Sequence, residues 1–99
     1  MVKKFSLNWL RGLAGFMMDA DEWSYNSEEA MIQALLDLTD DKDLVGDALR
    51  SIRNAFDDNI ELQSMDYTHD QYDDFEQVVE NERSRAMAII TNLWNAAQR

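Results

Sequence analysis

Carboxylates are the most abundant chemically active side chains of this 99-residue chain, and all twenty lie between Asp19 and Glu82. Only three of the nine Lys and Arg residues lie in that stretch, so the formal charge of −11 is concentrated in the middle of the chain. A negative field of this kind destabilises a compact fold by self-repulsion and attracts positively charged molecules. The distribution therefore predicts a basic protein partner.

Two acidic segments also contain aromatic residues, and together they form the predicted partner-binding surface. The first contributes Asp19, Asp21, Glu22, Trp23 and Tyr25, and the second contributes Asp66, Tyr67, Asp70, Asp73 and Asp74. Carboxylates steer a cationic partner and pair with its Lys and Arg residues, while large rigid aromatics slow its release. Core positions are an equally good interpretation of Trp23, Tyr25 and Tyr67. They are the better interpretation of Tyr72 and Phe75, which follow a helical spacing.

Other chemistry finds little support in the residue types. The only histidine is His69, and the chain has no cysteine. A general base or metal ligand at His69 lacks a positioned partner, so a solvated residue at a helix start is favoured. A calcium loop beginning at Asp41 places Val45 and Ile52 at positions five and twelve, where oxygen ligands are needed. We predict no enzyme, no cofactor and no metal site.

The elements that must position these residues are helical. The chain has no proline and three glycines, and apolar residues recur at spacings of three and four. We predict an all-α fold in which one domain, residues 1–99, forms a single compact bundle of about four helices. The last helix is expected to be long.

Helix starts are predicted from residues that cap helices. Ser6 is expected to cap the first helix, Asn26 the second, Thr39 or Asp40 the third, and Thr68 the last. The segment 57–67 has the least clear pattern, and we expect a short helical turn around Ile60 and Leu62.

The apolar stripes predict the core. The expected members are Leu10, Leu13, Ala14 and Met17; Met31, Ala34, Leu35 and Leu38; Leu44, Val45, Ala48, Leu49, Ile52 and Phe56; and Tyr72, Phe75, Val79, Ala86, Ile90, Leu93 and Ala97. Glu82 interrupts the last stripe. A bend over residues 81–84 or a pairing with arginine is expected to accommodate it.

The chain shows no secretory signal and no apolar run long enough for a bilayer, so a cytoplasmic protein is expected. Its negative charge is repelled by acidic lipids and by phosphate backbones. We therefore predict no membrane contact and no direct nucleic-acid binding.

In size, acidity and helical content the chain resembles the immunity proteins that protect bacteria from nuclease toxins. The resemblance is one of overall character, without a shared motif. It implies an inhibitor that covers a basic active-site or nucleic-acid-binding surface. One alternative is a phage-encoded nucleic-acid mimic directed at a host defence complex, such as an anti-CRISPR or anti-restriction protein, which carboxylates spaced like phosphates would favour. Another is a helical adaptor subunit, which a large exposed apolar stripe would favour.

Overall fold

Four α-helices build the protein in the computed structural model, which describes residues 5–66, 68 and 70–98. The helices are α1 (Leu7–Asp19), α2 (Tyr25–Leu38), α3 (Lys42–Gln63) and α4 (Tyr72–Ala97). The predicted all-α bundle with a long C-terminal helix is confirmed, since α4 has 26 residues. None of the helices in the described part of the chain has both the length and the apolar character needed to cross a membrane.

Helix α4 packs mainly against α3 and α1. Helix α1 runs antiparallel to it, because the Phe5 ring lies 5.8 Å from the Trp94 ring at one end and Asp19 binds Arg83 at the other. Helix α3 makes the most extensive contact with α4, and α2 packs mainly on α1 and α3. Their shared core includes six fully buried large side chains: Leu10, Met18, Met31, Leu35, Ile52 and Ile90.

The C-terminal part of α3 and the N-terminal part of α4 project beyond the shorter helices. Helices α1 and α2 have 13 and 14 residues, whereas α3 has 22, and the molecule measures 52 × 25 × 23 Å. Leu62 and Val79 are buried in this projection but lie outside the central core cluster. We call residues 57–82 the acidic arm.

The start of α1 agrees with the sequence prediction, but that of α2 does not. The Ser6 hydroxyl accepts a backbone N–H three residues on, at 3.0 Å. Ser24 caps α2 by accepting the N–H of Ser27 at 3.2 Å, so the prediction of Asn26 is wrong. The chain becomes helical earlier because the indole that precedes Ser24 is anchored on α3.

Helix α3 is capped by Asp41, so the prediction of Thr39 or Asp40 is wrong. The Asp41 carboxylate accepts the N–H groups of Asp43 and Leu44 at 2.9 and 3.3 Å. The Thr39 hydroxyl instead accepts the N–H of Asp41, at 3.1 Å. Among these consecutive polar residues, Asp41 is the one whose backbone is extended immediately before the helix.

Helix α4 begins at Tyr72 without a side-chain cap, so Thr68 does not cap it. Gln71 occupies the cap position, and the N–H of Thr68 donates to the Asp66 carboxylate at 3.0 Å, within the preceding connection. The carboxylates of the first turn, Asp73 and Asp74, interact favourably with the helix dipole.

Helix α3 extends through Gln63, so the prediction of only a short turn after residue 57 is wrong. The helix continues because Leu62 is buried and Ile60 half-buried. Two paired helices bury a narrow seam, and few apolar residues are enough to fill it. The remaining positions are acidic or amide side chains, which conceals the helix in the sequence.

The apolar stripes locate most of the core. All four predicted residues of α2 are buried, and α1 adds Met18 while Leu13 is half-buried. Leu44 was expected in the core but is 42% exposed, because it lies in the first turn of α3 on the solvent side. The periodicity of apolar residues therefore identifies the buried face of each helix, but it does not predict reliably which residues lie at the edges of that face.

Candidate functional site

The acidic arm is the most highly charged part of the molecule. It contains ten Asp and Glu residues and no Lys or Arg. The eight exposed carboxylates are Asp57, Glu61, Asp66, Asp70, Asp73, Asp74, Glu76 and Glu80. Because α4 rises about 16 Å over its share of the arm, the arm carries about one carboxylate per 2 Å. Duplex DNA carries about one charge per 1.7 Å, so the two linear charge densities are similar.

Three of these carboxylates form a row along α4. Asp73, Glu76 and Glu80 are spaced by three and four residues, so they lie on one side of the helix at steps of about 4.5 and 6 Å. The row leads to Arg83, whose guanidinium binds both carboxylate oxygens of Asp19. Asp19, Asp73, Glu76 and Glu80 are called the acidic track.

Arg83 fastens the end of α1 to α4 and thereby joins Asp19 to the row. Its side chain is 27% exposed. The hydrogen bond to Asp19 raises the pKa of Arg83 above its ordinary value, against the opposing effect of burial, and the nearby charge of Glu80 raises it further. The cation therefore neutralises part of the track and fixes its geometry.

The predicted residue Trp23 is held within the protein. Its ring lies 5.2 Å from the Phe56 ring between centroids, and the Arg53 guanidinium lies 4.8 Å from its ring centre. The indole N–H donates to the Glu28 carboxylate. Trp23 is half-buried and anchors the connection between α1 and α2 to α3.

The other residues of the first predicted segment are accessible. Asp19, Asp21 and Glu22 are exposed, and Tyr25, the first residue of α2, is 77% exposed. The Tyr25 ring is therefore the accessible aromatic group of this segment, and carboxylates precede it in the chain. This arrangement can provide both an apolar contact and ion pairs to a cationic partner.

The second predicted segment lies at the tip of the arm. Asp66, Asp70, Asp73 and Asp74 are exposed. Tyr67, which belonged to the same prediction, and His69 lie outside the described residues. Tyr72 and Phe75 are half-buried and lie outside the central core cluster, so they are less buried than the core interpretation predicts.

The two predicted segments occupy the same end of the molecule but are not adjacent. From Asp73 to Arg83, α4 rises about 15 Å. Glu76 and Glu80 lie between Asp73 and Arg83 on this helix and were not among the predicted residues. Their spacing from Asp73 was visible in the sequence, whereas the ion pair that brings Asp19 to the end of the row was not.

Glu82 faces a second carboxyl group across the seam. Its Oε2 atom is buried and accepts no hydrogen bond from the described residues. The pKa of Glu82 is raised to about 7, first by burial and then by hydrogen bonding to Asp58 and repulsion from its charge, while the Arg85 cation opposes the rise. Helix α4 is continuous through residues 81–84. Glu82 interacts mainly with Asp58, and Arg85 is its nearby cation.

No group of three or more His, Asp or Glu side chains is placed to hold a metal ion within the described residues. Comparisons with protein-family models, with curated proteins and with solved structures gave no match.

Proposed function

We propose that this protein binds a basic, nucleic-acid-binding protein and blocks its nucleic-acid surface with the acidic arm. The observation that carries the proposal is a projection with eight exposed carboxylates and no Lys or Arg among its residues. Proteins that hold nucleic acid use Lys and Arg to neutralise phosphates. A surface that matches the charge density of a duplex competes for the same cations.

The partner we propose is a nuclease toxin, which makes this chain an immunity-type inhibitor acting in the cytoplasm. Tyr25 supports this version, because an exposed aromatic residue follows the exposed carboxylates Asp21 and Glu22. Long-range attraction increases the association rate, and a buried ring with close ion pairs decreases the dissociation rate. An inhibitor of a toxin in the same cell benefits from both effects.

A nucleic-acid mimic directed at a host defence complex is the second candidate. The regular spacing of the acidic track favours it, since the carboxylates succeed one another at steps of about 4.5 to 6 Å along one side of a helix. Both candidates use the same surface. They differ in the protein that is bound.

The test is affinity capture from the native cell lysate with three forms of the protein. The arm variant carries Asp73→Lys, Glu76→Lys and Glu80→Lys. The control variant carries Glu29→Lys, Asp37→Lys and Asp40→Lys, which change the net charge equally at exposed positions outside the arm. We expect the wild type and the control to retain a basic nucleic-acid-binding protein that the arm variant loses.

Competition with duplex DNA identifies the surface of the partner that is covered. We expect excess duplex to release the captured protein, because both ligands occupy the same cationic site. Retention by the arm variant at the wild-type level, or a complex that resists the duplex, would contradict the proposal. A captured toxin supports the immunity version, and a captured defence complex supports the mimic.

A further inference from the structure

Helix α1 has a second, partly exposed apolar face beside the one that it buries, and Leu13, at the border of the two, is half-buried against the core. Trp9 is 46% exposed and Phe16 is 60% exposed. Gly12 and Leu13 lie between them, and the spacing of three, one and three places all four residues on one side of the helix. These four residues are called the outer stripe.

The outer stripe lies on the helix that has no acidic residue before its last position. Between Leu7 and Met18 the chain has no Asp or Glu and one cation, Arg11. Helices α2, α3 and α4 each carry at least three acidic residues. Two copies of a chain with a charge of −11 repel each other at acidic faces. Electrostatic repulsion therefore opposes the association of two copies least where they meet along α1.

The spacing of the outer stripe is self-complementary. Its midpoint falls between Gly12 and Leu13, so a two-fold axis there places Trp9 of one copy against Phe16 of the other. Gly12 then meets Leu13 of the second copy. A Cβ atom added at Gly12 has no neighbour within 4 Å in the single chain, so the backbone is open to a close approach at this point.

We propose that the outer stripe binds a second copy of this chain, with the two α1 helices antiparallel. Helix α1 ends beside Arg83, and the acidic arm extends beyond that point. An antiparallel pair therefore directs the two arms to opposite ends of the dimer, whereas a parallel pair places them side by side. Electrostatic repulsion selects the antiparallel arrangement.

The size of the interface sets the affinity. Stable complexes bury about 800 Å² on each partner, and one face of a 13-residue helix supplies less. We expect a dissociation constant on the order of 10 to 100 μM. The dimer presents two acidic arms, so it binds two partner molecules or one partner with two basic sites.

Analytical ultracentrifugation of the purified protein, from about 1 μM to about 1 mM, tests the proposal. A monomer–dimer equilibrium is expected, and added salt should strengthen it because the repulsion between the copies is screened. Binding of a basic partner has the opposite salt dependence. A monomer throughout this range overturns the proposal and assigns the outer stripe to a different protein.

Two substitutions and one control locate the interface. Phe16→Ser should weaken dimerisation at least ten-fold. Gly12→Gln should do the same while the monomer stays folded, because glutamine is a better helix former than glycine and faces open space there. Leu44→Ser, at a position 42% exposed on α3, should have no effect. Dimerisation that survives both α1 substitutions, or that Leu44→Ser weakens equally, contradicts the assignment.

Discussion

Trp23 and Tyr25 are two residues apart, yet their environments differ sharply. Trp23 contacts Phe56 and Arg53 and donates to Glu28, whereas the Tyr25 side chain is 77% exposed. Substitution of the first changes the fold and the surface together, while substitution of the second changes the surface alone. Tyr25 is therefore the cleaner test of an aromatic contact to a partner.

Tyr25→Ala should change the free energy of unfolding by less than about 0.5 kcal/mol, as for other exposed positions. It should increase the dissociation rate of the partner complex about ten-fold, because interface tyrosines contribute more than about 1 kcal/mol. Urea denaturation and surface plasmon resonance measure the two quantities. An unchanged dissociation rate would remove Tyr25 from the proposed interface.

Trp23→Ala, the matching substitution, should also speed dissociation, and it should destabilise the fold by about 2 kcal/mol. The loss reflects a half-buried ring and its contact with the Arg53 cation. Trp23→Phe is the control, since it keeps an aromatic ring against Phe56 but loses the indole N–H. If Trp23→Ala unfolds at the same urea concentration as the wild type, the anchoring role is wrong.

At the level of elements, the sequence was a good guide to helix faces and a poor one to helix ends. Periodicity identifies a buried face because many residues contribute to it, as in α2, where all four predicted residues are buried. A cap depends on the backbone of one residue. Several neighbouring Ser, Thr, Asp and Asn residues are chemically able to cap, and tertiary contacts select one of them, as at Ser24 and Asp41.

Asp41→Ala should therefore destabilise the protein by about 1 kcal/mol, because the carboxylate satisfies two backbone N–H groups at the start of α3. Asp40→Ala removes the same charge from the neighbouring residue and should have little effect. Thermal and urea unfolding compare the two. Equal losses would show that charge, and not capping, determines the result.

The facing carboxyls of Asp58 and Glu82 make the pairing of α3 with α4 sensitive to pH. A hydrogen bond between two carboxyls requires a proton, and the pKa of Glu82 is raised from 4.5 to about 7, mainly by burial. The folded chain thus keeps a proton that the unfolded chain releases. This contribution to stability is complete below pH 4.5 and is lost as the pH rises through about 7.

Glu82→Gln should remove this part of the pH dependence, because an amide donates to Asp58 at every pH. The melting temperature of the wild type should fall from pH 5 to pH 8 by more than that of the variant, and the two should differ most at pH 8. Differential scanning calorimetry at both values measures the effect. Parallel pH profiles would show that Glu82 does not hold the proton in the folded state.

At the scale of the whole molecule, the charge of the candidate site was predictable and its shape was not. The run of acids from Asp57 to Glu82 is evident in the sequence. The acidic arm forms a two-helix projection because α1 and α2 are short and end before they reach the tip of the arm. The acidic track depends on an ion pair between Asp19 and Arg83, which are 64 residues apart. The spacing of residue types along the sequence does not indicate an ion pair between residues so far apart in the chain.

The negative electrostatic potential of the whole protein should determine the rate at which the partner associates. Asp21→Lys with Glu22→Lys should slow association and flatten its salt dependence, while dissociation changes little, because long-range attraction acts before contact. Asp73→Lys with Glu76→Lys should act more strongly, since these residues lie within the arm. Glu29→Lys with Asp37→Lys, outside the arm, is the matched control. Stopped-flow association rates between about 50 and 500 mM salt measure the effect.

Two results are decisive for the role of the field. Association should slow as the pH falls towards 4, because protonated carboxylates no longer attract a cation. The slope of the rate against salt should decrease with each acidic residue reversed in the arm and should change less for the control. If the wild type and the arm variant associate at equal rates, the negative charge does not steer the partner, and the exposed aromatic and apolar residues must account for recognition.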